Sequence, residues 1–190
     1  NQASSLHWHK PFSEILDFTN PPFAKWFSDG QINASYNCLD RHVDAGLGDR
    51  IALLFEGEPG DDASYTYQEL LNETKKAANA LTELGIKAGD RVAIYMPMIP
   101  EAVIAMLACA RIGATHSVVF GGFSADSLLA RIQDAEAKLV ITADGGNRKG
   151  SALGLKAIVD DALKGQHPVE KVLVVKRTGQ EIHMQSRDIW

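Results

Sequence analysis

The sequence has few of the features that mark membrane, secreted or metal-binding proteins. It contains two cysteines among 190 residues, Cys38 and Cys109, and neither lies in a C-x-x-C or Cys/His pattern. Two separated cysteines are typical of reduced, packed thiols, so we expect a cytoplasmic protein. The histidines show no metal-ligand spacing, and no metal ligand or catalytic residue is predicted. The most apolar stretch, Val92 to Gly113, is broken by prolines and charges, and residues 1–10 show no secretory pattern, so neither a membrane span nor a secretory signal is expected.

The sequence also lacks a surplus of positive charge. Lysine and arginine number 19 against 24 aspartates and glutamates, which gives a formal net charge of −5. Proteins that bind nucleic acid or anionic membranes through their overall charge are basic. We therefore expect neither of these partners. A phosphorylated small molecule remains a candidate ligand, because it needs only a local basic site.

Composition divides the chain near residue 48. Residues 1–48 are rich in aromatic and turn-forming residues and hold two of the three tryptophans, which we interpret as a segment that wraps over another domain. Residues 49–190 alternate short apolar runs with helical patterns. The predicted strands are 51–56, 91–96, 115–120, 138–142 and 171–175.

Residues that start and stop helices separate these strands. Thr66 opens a capping-box pattern, and Gly85 is placed to end the helix that follows. A second helix is predicted over 100–112, where proline occupies the tolerated first turn. Ser124 caps a third helix, and a fourth is predicted over 155–163.

This alternation of strands and helices predicts an α/β fold. Short connections and continuously apolar strand cores are typical of a parallel, helix-covered sheet built of βαβ units. In such sheets, ligands bind beyond the carboxyl ends of the strands. The candidate site segments are therefore the loops 97–99, 121–124 and 143–152.

The first glycine-rich segment is Gly121-Gly122, between a strand and the helix capped by Ser124. Two interpretations remain open. It is either a tight turn alone or a contact for an anion or cofactor, since glycine permits close approach and a helix N-terminus offers free N–H groups. The pattern is not G-x-G-x-x-G, so a dinucleotide Rossmann site is not supported.

The second glycine-rich segment follows the fourth predicted strand. Gly145 and Gly150 have the spacing of a P-loop, but Ser151 stands where a P-loop requires lysine. Arg148 could form a forked contact with a phosphate, and Lys149 could supply a point charge. The residues alone leave open a flexible solvated loop and an anion site.

Several stretches, taken together, resemble one protein family. They are Trp26-Phe27, Asn37 to His42, Val92 to Glu101, Ala105 to Ala114, His116 to Ser124, and Leu139 to Asp144. In this order they are similar to the N-terminal part of the acetyl-coenzyme A synthetases, which are AMP-forming acetate–CoA ligases of the adenylate-forming superfamily. The resemblance is strongest over residues 37–161. It implies that residues 49–190 are an α/β subdomain of the family's large adenylation domain.

The resemblance implies an enzyme that converts acetate and ATP to acetyl-adenylate and pyrophosphate, then transfers the acetyl group to CoA with release of AMP. Its substrates would be acetate, CoA and ATP with Mg²⁺. The family's ATP loop ending in Pro-Lys-Gly does not occur in these 190 residues, and neither do the motifs of its C-terminal domain. We therefore expect a fragment that is inactive alone, with its ATP and Mg²⁺ sites elsewhere. Its partner would be the remainder of its own large domain, and exposed apolar surface would favour self-association.

The same resemblance implies that this part of the enzyme binds the nucleotide end of CoA. The implied CoA-binding residues are Phe120, Gly121, Gly122, Arg148, Lys149, Gly150, Ser151 and Leu153. The family often has a second arginine three residues after the first, where this chain has Ser151. Lys149 adds charge there without a forked geometry. Two alternatives stay open: a ligase for propionate or another short-chain acid, and a non-catalytic module that binds CoA or a nucleotide.

Overall fold

The computed structural model describes residues 2–190, which form eleven strands and four α-helices. The strands are β1 (Leu16–Asn20), β2 (Phe23–Trp26), β3 (Ile51–Glu56), β4 (Asp62–Thr66), β5 (Arg91–Met96), β6 (Thr115–Phe120), β7 (Leu139–Ala143), β8 (Gly146–Arg148), β9 (Ser151–Leu153), β10 (Lys171–Val175) and β11 (Asp188–Ile189). The helices are α1 (Tyr67–Glu83), α2 (Pro100–Ile112), α3 (Ala125–Ala135) and α4 (Leu155–Ala162). Short helical turns cover Gln2–Ser5, Tyr36–Asp40 and Val43–Leu47. Within residues 2–190, none of the helices has the length and apolar character needed to cross a lipid bilayer.

A five-stranded parallel sheet forms the centre of the fold, in the order β11-β10-β7-β5-β6. In its register, Arg91 lies opposite Thr115, and Val92 lies opposite Leu139. Every residue of the inner strand β7 is buried. The prediction of a parallel, helix-covered sheet is confirmed. Three strands, β5, β6 and β10, have their predicted bounds, and β7 is shifted by one residue.

The predicted helix ends are confirmed. The Thr66 hydroxyl accepts the Glu69 N–H at 3.2 Å, and the Glu69 carboxylate accepts the Thr66 N–H at 2.8 Å, which completes the capping box. Gly85 follows α1 with φ +93°, and Gly113 ends α2 with φ +76°, a conformation that glycine adopts without strain. The Ser124 hydroxyl accepts an N–H from the first turn of α3 at 3.3 Å.

The prediction that the strand at 51–56 joins the βαβ series is wrong. β3 pairs antiparallel with β4 in a separate two-stranded sheet. The turn 57–61 between them is too short for a parallel crossover, which needs about a dozen residues, and it suits a hairpin instead. The fifth strand of the central sheet is β11, which the sequence analysis did not predict.

Hydrophobic cores cover both faces of the central sheet. Ala93 and Tyr95 of β5 pack against α3 and α4, while Val92 and Ile94 pack against α1 and α2. This division follows from the alternation of side chains along a strand. Both faces of the sheet are therefore covered, and the loops that follow its parallel strands emerge at one end.

The two cysteines differ in their surroundings. Cys109 belongs to α2 and lies in the core, and burial raises the pKa of its thiol to about 12. Cys38 is an exposed free thiol, so the expectation of two packed thiols is wrong for this residue. Cys38 lies in the short helical turn Tyr36–Asp40, in which Leu39 is the buried residue. Neighbouring residues of a helix face different directions, so Cys38 points away from the core.

The N-terminal segment contacts the rest of the chain at both α1 and α2. Asn33 Nδ2 donates to the carbonyl oxygens of Ala110 and Arg111 at 3.0 and 3.2 Å. Asp40 forms a two-pronged ion pair with Arg111 at 2.8 and 3.0 Å. The β1–β2 hairpin keeps several large side chains exposed, among them Phe18, Phe23 and Trp26. That residues 1–48 wrap over another domain stays a prediction.

Candidate ligand-binding cleft

A cleft of about 500 Å³ opens at the carboxyl ends of the parallel strands. Parts of all three predicted loop segments line it, namely Pro97–Ile99, Gly121-Gly122 and Gly146–Arg148. The opposite wall is formed by Phe55–Glu58, at the end of β3, and by Arg177, after β10. The cleft thus lies where the topology of a parallel sheet predicts a ligand site.

The Gly121-Gly122 turn has no room for side chains. A Cβ on Gly121 would lie 3.2 Å from the carbonyl oxygen of Met96. A Cβ on Gly122 would lie 2.6 Å from the Phe120 ring and would overlap the Arg148 guanidinium. A Cβ at Gly121 would therefore require a small shift of its neighbour, and a Cβ at Gly122 would displace the Arg148 and Phe120 side chains, whereas the glycine backbone can approach a ligand closely.

Tyr95 supports this turn from beneath the cleft. Its hydroxyl donates to the carbonyl oxygen of Phe123 at 2.8 Å and approaches that of Gly121 at 3.3 Å. The side chain is fully buried, and burial raises the pKa of its hydroxyl, which stays protonated at neutral pH. The sequence analysis missed this role. A tyrosine in an otherwise aliphatic buried strand was the available signal, since a buried hydroxyl needs a partner.

The second predicted segment is a β-hairpin, so the interpretation as a flexible loop is wrong. Arg148 and Ser151 form the last pair of β8 and β9. Between them, Lys149 and Gly150 have φ values of +54° and +74°, as in a two-residue type I′ turn. The Ser151 hydroxyl also donates to the Arg148 carbonyl oxygen at 3.2 Å. The hairpin fixes the position from which Arg148 projects.

The structure brings five of the eight implied CoA-binding residues together in the cleft. They are Phe120, Gly121, Gly122, Arg148 and Leu153. The Arg148 guanidinium lies 5.1 Å from the centre of the Phe120 ring, and it has no carboxylate partner within residues 2–190. The other three, Lys149, Gly150 and Ser151, form the hairpin tip outside the cleft lining.

A buried carboxylate, Asp144, holds the base of the hairpin. It accepts backbone N–H groups from Gly145, Arg177, Thr178 and Gly179 at 2.6–2.9 Å. Burial alone raises the pKa of this carboxyl, but the four N–H groups outweigh burial and the net shift is downward. Asp144 is therefore ionised at neutral pH and ties the loop after β10 to the loop after β7.

The acidic turn 57–61 contacts the segment after β10 and the tip of the β8–β9 hairpin. Asp61 pairs with the Arg177 guanidinium at 2.5 and 3.0 Å, and this pairing lowers the pKa of the Asp61 carboxyl. Glu58 Oε1 accepts the Lys149 N–H at 3.1 Å. Arg177 also lies 5.3 Å from the centre of the Phe55 ring. These contacts were missed because their partners are far apart in sequence.

A second depression, of about 650 Å³, lies between β4, α1 and α2. Two of its carboxylates already serve α1. Glu69 completes the capping box, and Glu73 pairs with Lys76 at 2.7 Å. The cleft at the strand ends is the better candidate for a ligand site, because it holds a glycine turn and a guanidinium that has no carboxylate partner within residues 2–190.

Comparison with known proteins gives matches over the whole chain. Residues 39–188 match the family of AMP-binding enzymes, and residues 1–38 match the family described as acetyl-coenzyme A synthetase N-terminus. The protein named acetyl-coenzyme A synthetase in Streptomyces avermitilis is 66% identical over 100% of this chain, which covers 29% of that relative. Those of Streptomyces coelicolor and Mycolicibacterium smegmatis are 63% and 62% identical over the whole chain, which covers 29% and 20% of them. The chain thus spans less than a third of the length of these relatives.

Proposed function

Because the chain belongs to the AMP-binding enzyme family, we propose that it forms part of an AMP-forming acetate–CoA ligase. In this reaction, a carboxylate oxygen of acetate attacks the α-phosphate of ATP and pyrophosphate leaves. The CoA thiol then attacks the acetyl carbonyl, and AMP leaves. The name shared by the relatives supports acetate as the acyl group. The free thiols of Cys38 and Cys109 support a cytoplasmic location.

Within this enzyme, residues 2–190 bind the nucleotide end of CoA in the cleft. The observation that carries this proposal is that the Gly121-Gly122 turn and the Arg148 guanidinium converge on one cavity. Two parallel N–H donors of Arg148 suit a phosphate. The exposed Phe120 ring offers a flat apolar surface for the adenine. Because Gly122 has no side chain, its backbone is open to the ligand.

These residues bind and orient a substrate, and none of them takes part in bond formation. Mg²⁺ would neutralise charge on the phosphates of ATP when bound. Among residues 2–190, no group of three or more His, Cys, Asp or Glu side chains could hold a metal ion, so we assign no metal ligand here. We expect that the 190 residues alone do not turn over ATP and acetate.

The test is an NMR titration of the ¹⁵N-labelled chain with CoA. An affinity of about 4 kcal/mol corresponds to a millimolar Kd, so the titration extends to several millimolar. The amide signals of Gly121, Gly122 and Arg148 should shift with CoA and with adenosine 3′,5′-bisphosphate. Pantetheine, which lacks the nucleotide end, is the matched control and should leave them unchanged. Unmoved signals with CoA, or equal shifts with pantetheine, would contradict the proposal.

A further inference from the structure

Two side chains of the acidic turn 57–61 contact groups that suit phosphate. Asp61 pairs with Arg177, which lies 116 positions away, and Glu58 accepts the N–H of Lys149, which lies 91 positions away. A guanidinium and a free N–H at the tip of a hairpin are ordinary anion ligands. In the structure, the chain's own carboxylates hold both.

The two arginines that line the cleft, Arg148 and Arg177, differ in their pairing. Arg148 has no carboxylate partner among residues 2–190 and is open to a ligand, whereas Arg177 lines the same cavity with its guanidinium engaged. The side chains of Arg177 and Asp61 are 20% and 41% exposed. A partly exposed ion pair of this kind is weak, so a polyanionic phosphate can compete with one carboxylate.

Release of these carboxylates requires only side-chain rotation. The turn is closed by its own backbone, because Gly57 N–H donates to the Asp61 carbonyl oxygen at 2.7 Å and Gly60 N–H donates to that of Gly57 at 2.9 Å. These bonds do not involve the Asp61 or Glu58 side chains. The turn can therefore keep its conformation while both carboxylates give way.

We propose that the acidic turn competes with phosphate-bearing ligands for the Arg177 guanidinium, which lines the cleft, and for the Lys149 N–H, which lies next to the cleft residue Arg148. Asp61 occupies Arg177, and Glu58 occupies the Lys149 N–H, until ligand phosphates displace them. Arg177 is thereby a second phosphate-binding arginine of the cleft, on a different element from Arg148. The proposal rests on the proposed function in one respect, which is that CoA is the natural ligand.

The test compares two neighbouring aspartates. Asp61→Asn removes the competitor and should lower the Kd for CoA by about 2- to 5-fold, which is the range expected for a partly exposed ion pair. Asp62→Asn is the matched control, because it removes the same charge from the neighbouring residue. The Asp62 side chain is exposed and forms no ion pair within residues 2–190. Because surface charges are screened at about 0.15 M salt, we expect Asp62→Asn to change the Kd for CoA by less than about 1.5-fold. Arg177→Gln combined with Asp61→Asn should abolish the gain.

Each variant is titrated with CoA and with inorganic pyrophosphate, and its amide spectrum checks the fold. Equal tightening by Asp61→Asn and Asp62→Asn, or weaker binding by Asp61→Asn, would overturn the proposal. If wild type binds pyrophosphate but not CoA, the proposed function fails. The competition by the acidic turn is then tested by comparing the Kd values of the variants for pyrophosphate. If neither ligand binds any variant, both fail. If Asp61→Asn does not fold, the NMR signal of Arg177 Nε–H in wild type provides the test. This signal should shift when CoA or pyrophosphate binds, and an unchanged signal would overturn the proposal.

Discussion

Replacing Tyr95 by phenylalanine tests how the fold holds the glycine turn of the cleft. The change removes one buried hydroxyl and leaves the ring, so packing against α3 and α4 is retained. The bond to the Phe123 carbonyl oxygen, at 2.8 Å, has a net value of about 0.5–1.5 kcal/mol. A carbonyl left without a partner adds a desolvation cost of about 1–3 kcal/mol where water cannot reach it. Since Phe123 is partly exposed, we expect a total loss of about 1–2 kcal/mol.

The global effect is measured by thermal and urea unfolding. For a chain of this size, 1 kcal/mol lowers Tm by about 2–4 °C. Tyr65→Phe is the matched control, because the Tyr65 hydroxyl has no hydrogen bond within residues 2–190, and it should change stability by less than about 0.5 kcal/mol.

The local effect separates positioning from general stability. Amide exchange at Gly122 and Phe123 should accelerate in Tyr95→Phe more than exchange at α1, and the Kd for CoA should rise. If Tyr95→Phe is as stable as Tyr65→Phe and exchange at the turn is unchanged, the hydroxyl does not hold the turn.

The remaining predictions concern the charged groups around the cleft. Arg148→Gln should raise the Kd for CoA about tenfold, because a forked contact with phosphate is lost. Lys149→Gln, at the hairpin tip, should raise this Kd less. Calorimetric titration checks both variants, and an equal rise in Kd for the two would contradict the assignment of Arg148. Asp144→Asn should destabilise the fold by about 2–4 kcal/mol, because four N–H groups lose their ionised acceptor. Since the pKa of Asp144 is lowered in the folded state, its contribution is complete above about pH 5 and declines as the pH falls below about 4. Unfolding measured against pH should therefore show this decline in wild type, and an equally steep decline in Asp144→Asn would refute the assignment.

Local signals in the sequence were sufficient for much of the fold. Strands β5, β6 and β10 each contain a continuous apolar core, and Pro97 and Gly121 directly follow the first two. The helix ends at Thr66 and Gly113 depend on backbone geometry that few residue types satisfy. The position of the cleft follows from parallel topology alone, because the strand ends gather at one edge.

The errors arise where pairing partners decide the structure. The apolar run 51–56 suits a parallel or an antiparallel strand equally, and only its pairing with β4 distinguishes the two. The segment 146–153 has little apolar character, so the hairpin β8–β9 depends on its turn rather than on its strands. The contacts of Asp61 with Arg177 and of Tyr95 with Phe123 join distant elements. A buried tyrosine predicts that its hydroxyl has a partner, but the sequence does not identify that partner.

A structure of the chain with CoA bound would locate the nucleotide end of the ligand. The account predicts that a CoA phosphate lies about 3 Å from the Arg148 guanidinium, that the nucleotide contacts the Gly121-Gly122 backbone, and that the adenine lies against Phe120. CoA bound outside this cleft, or bound in it with the nucleotide end away from Arg148, would contradict the account.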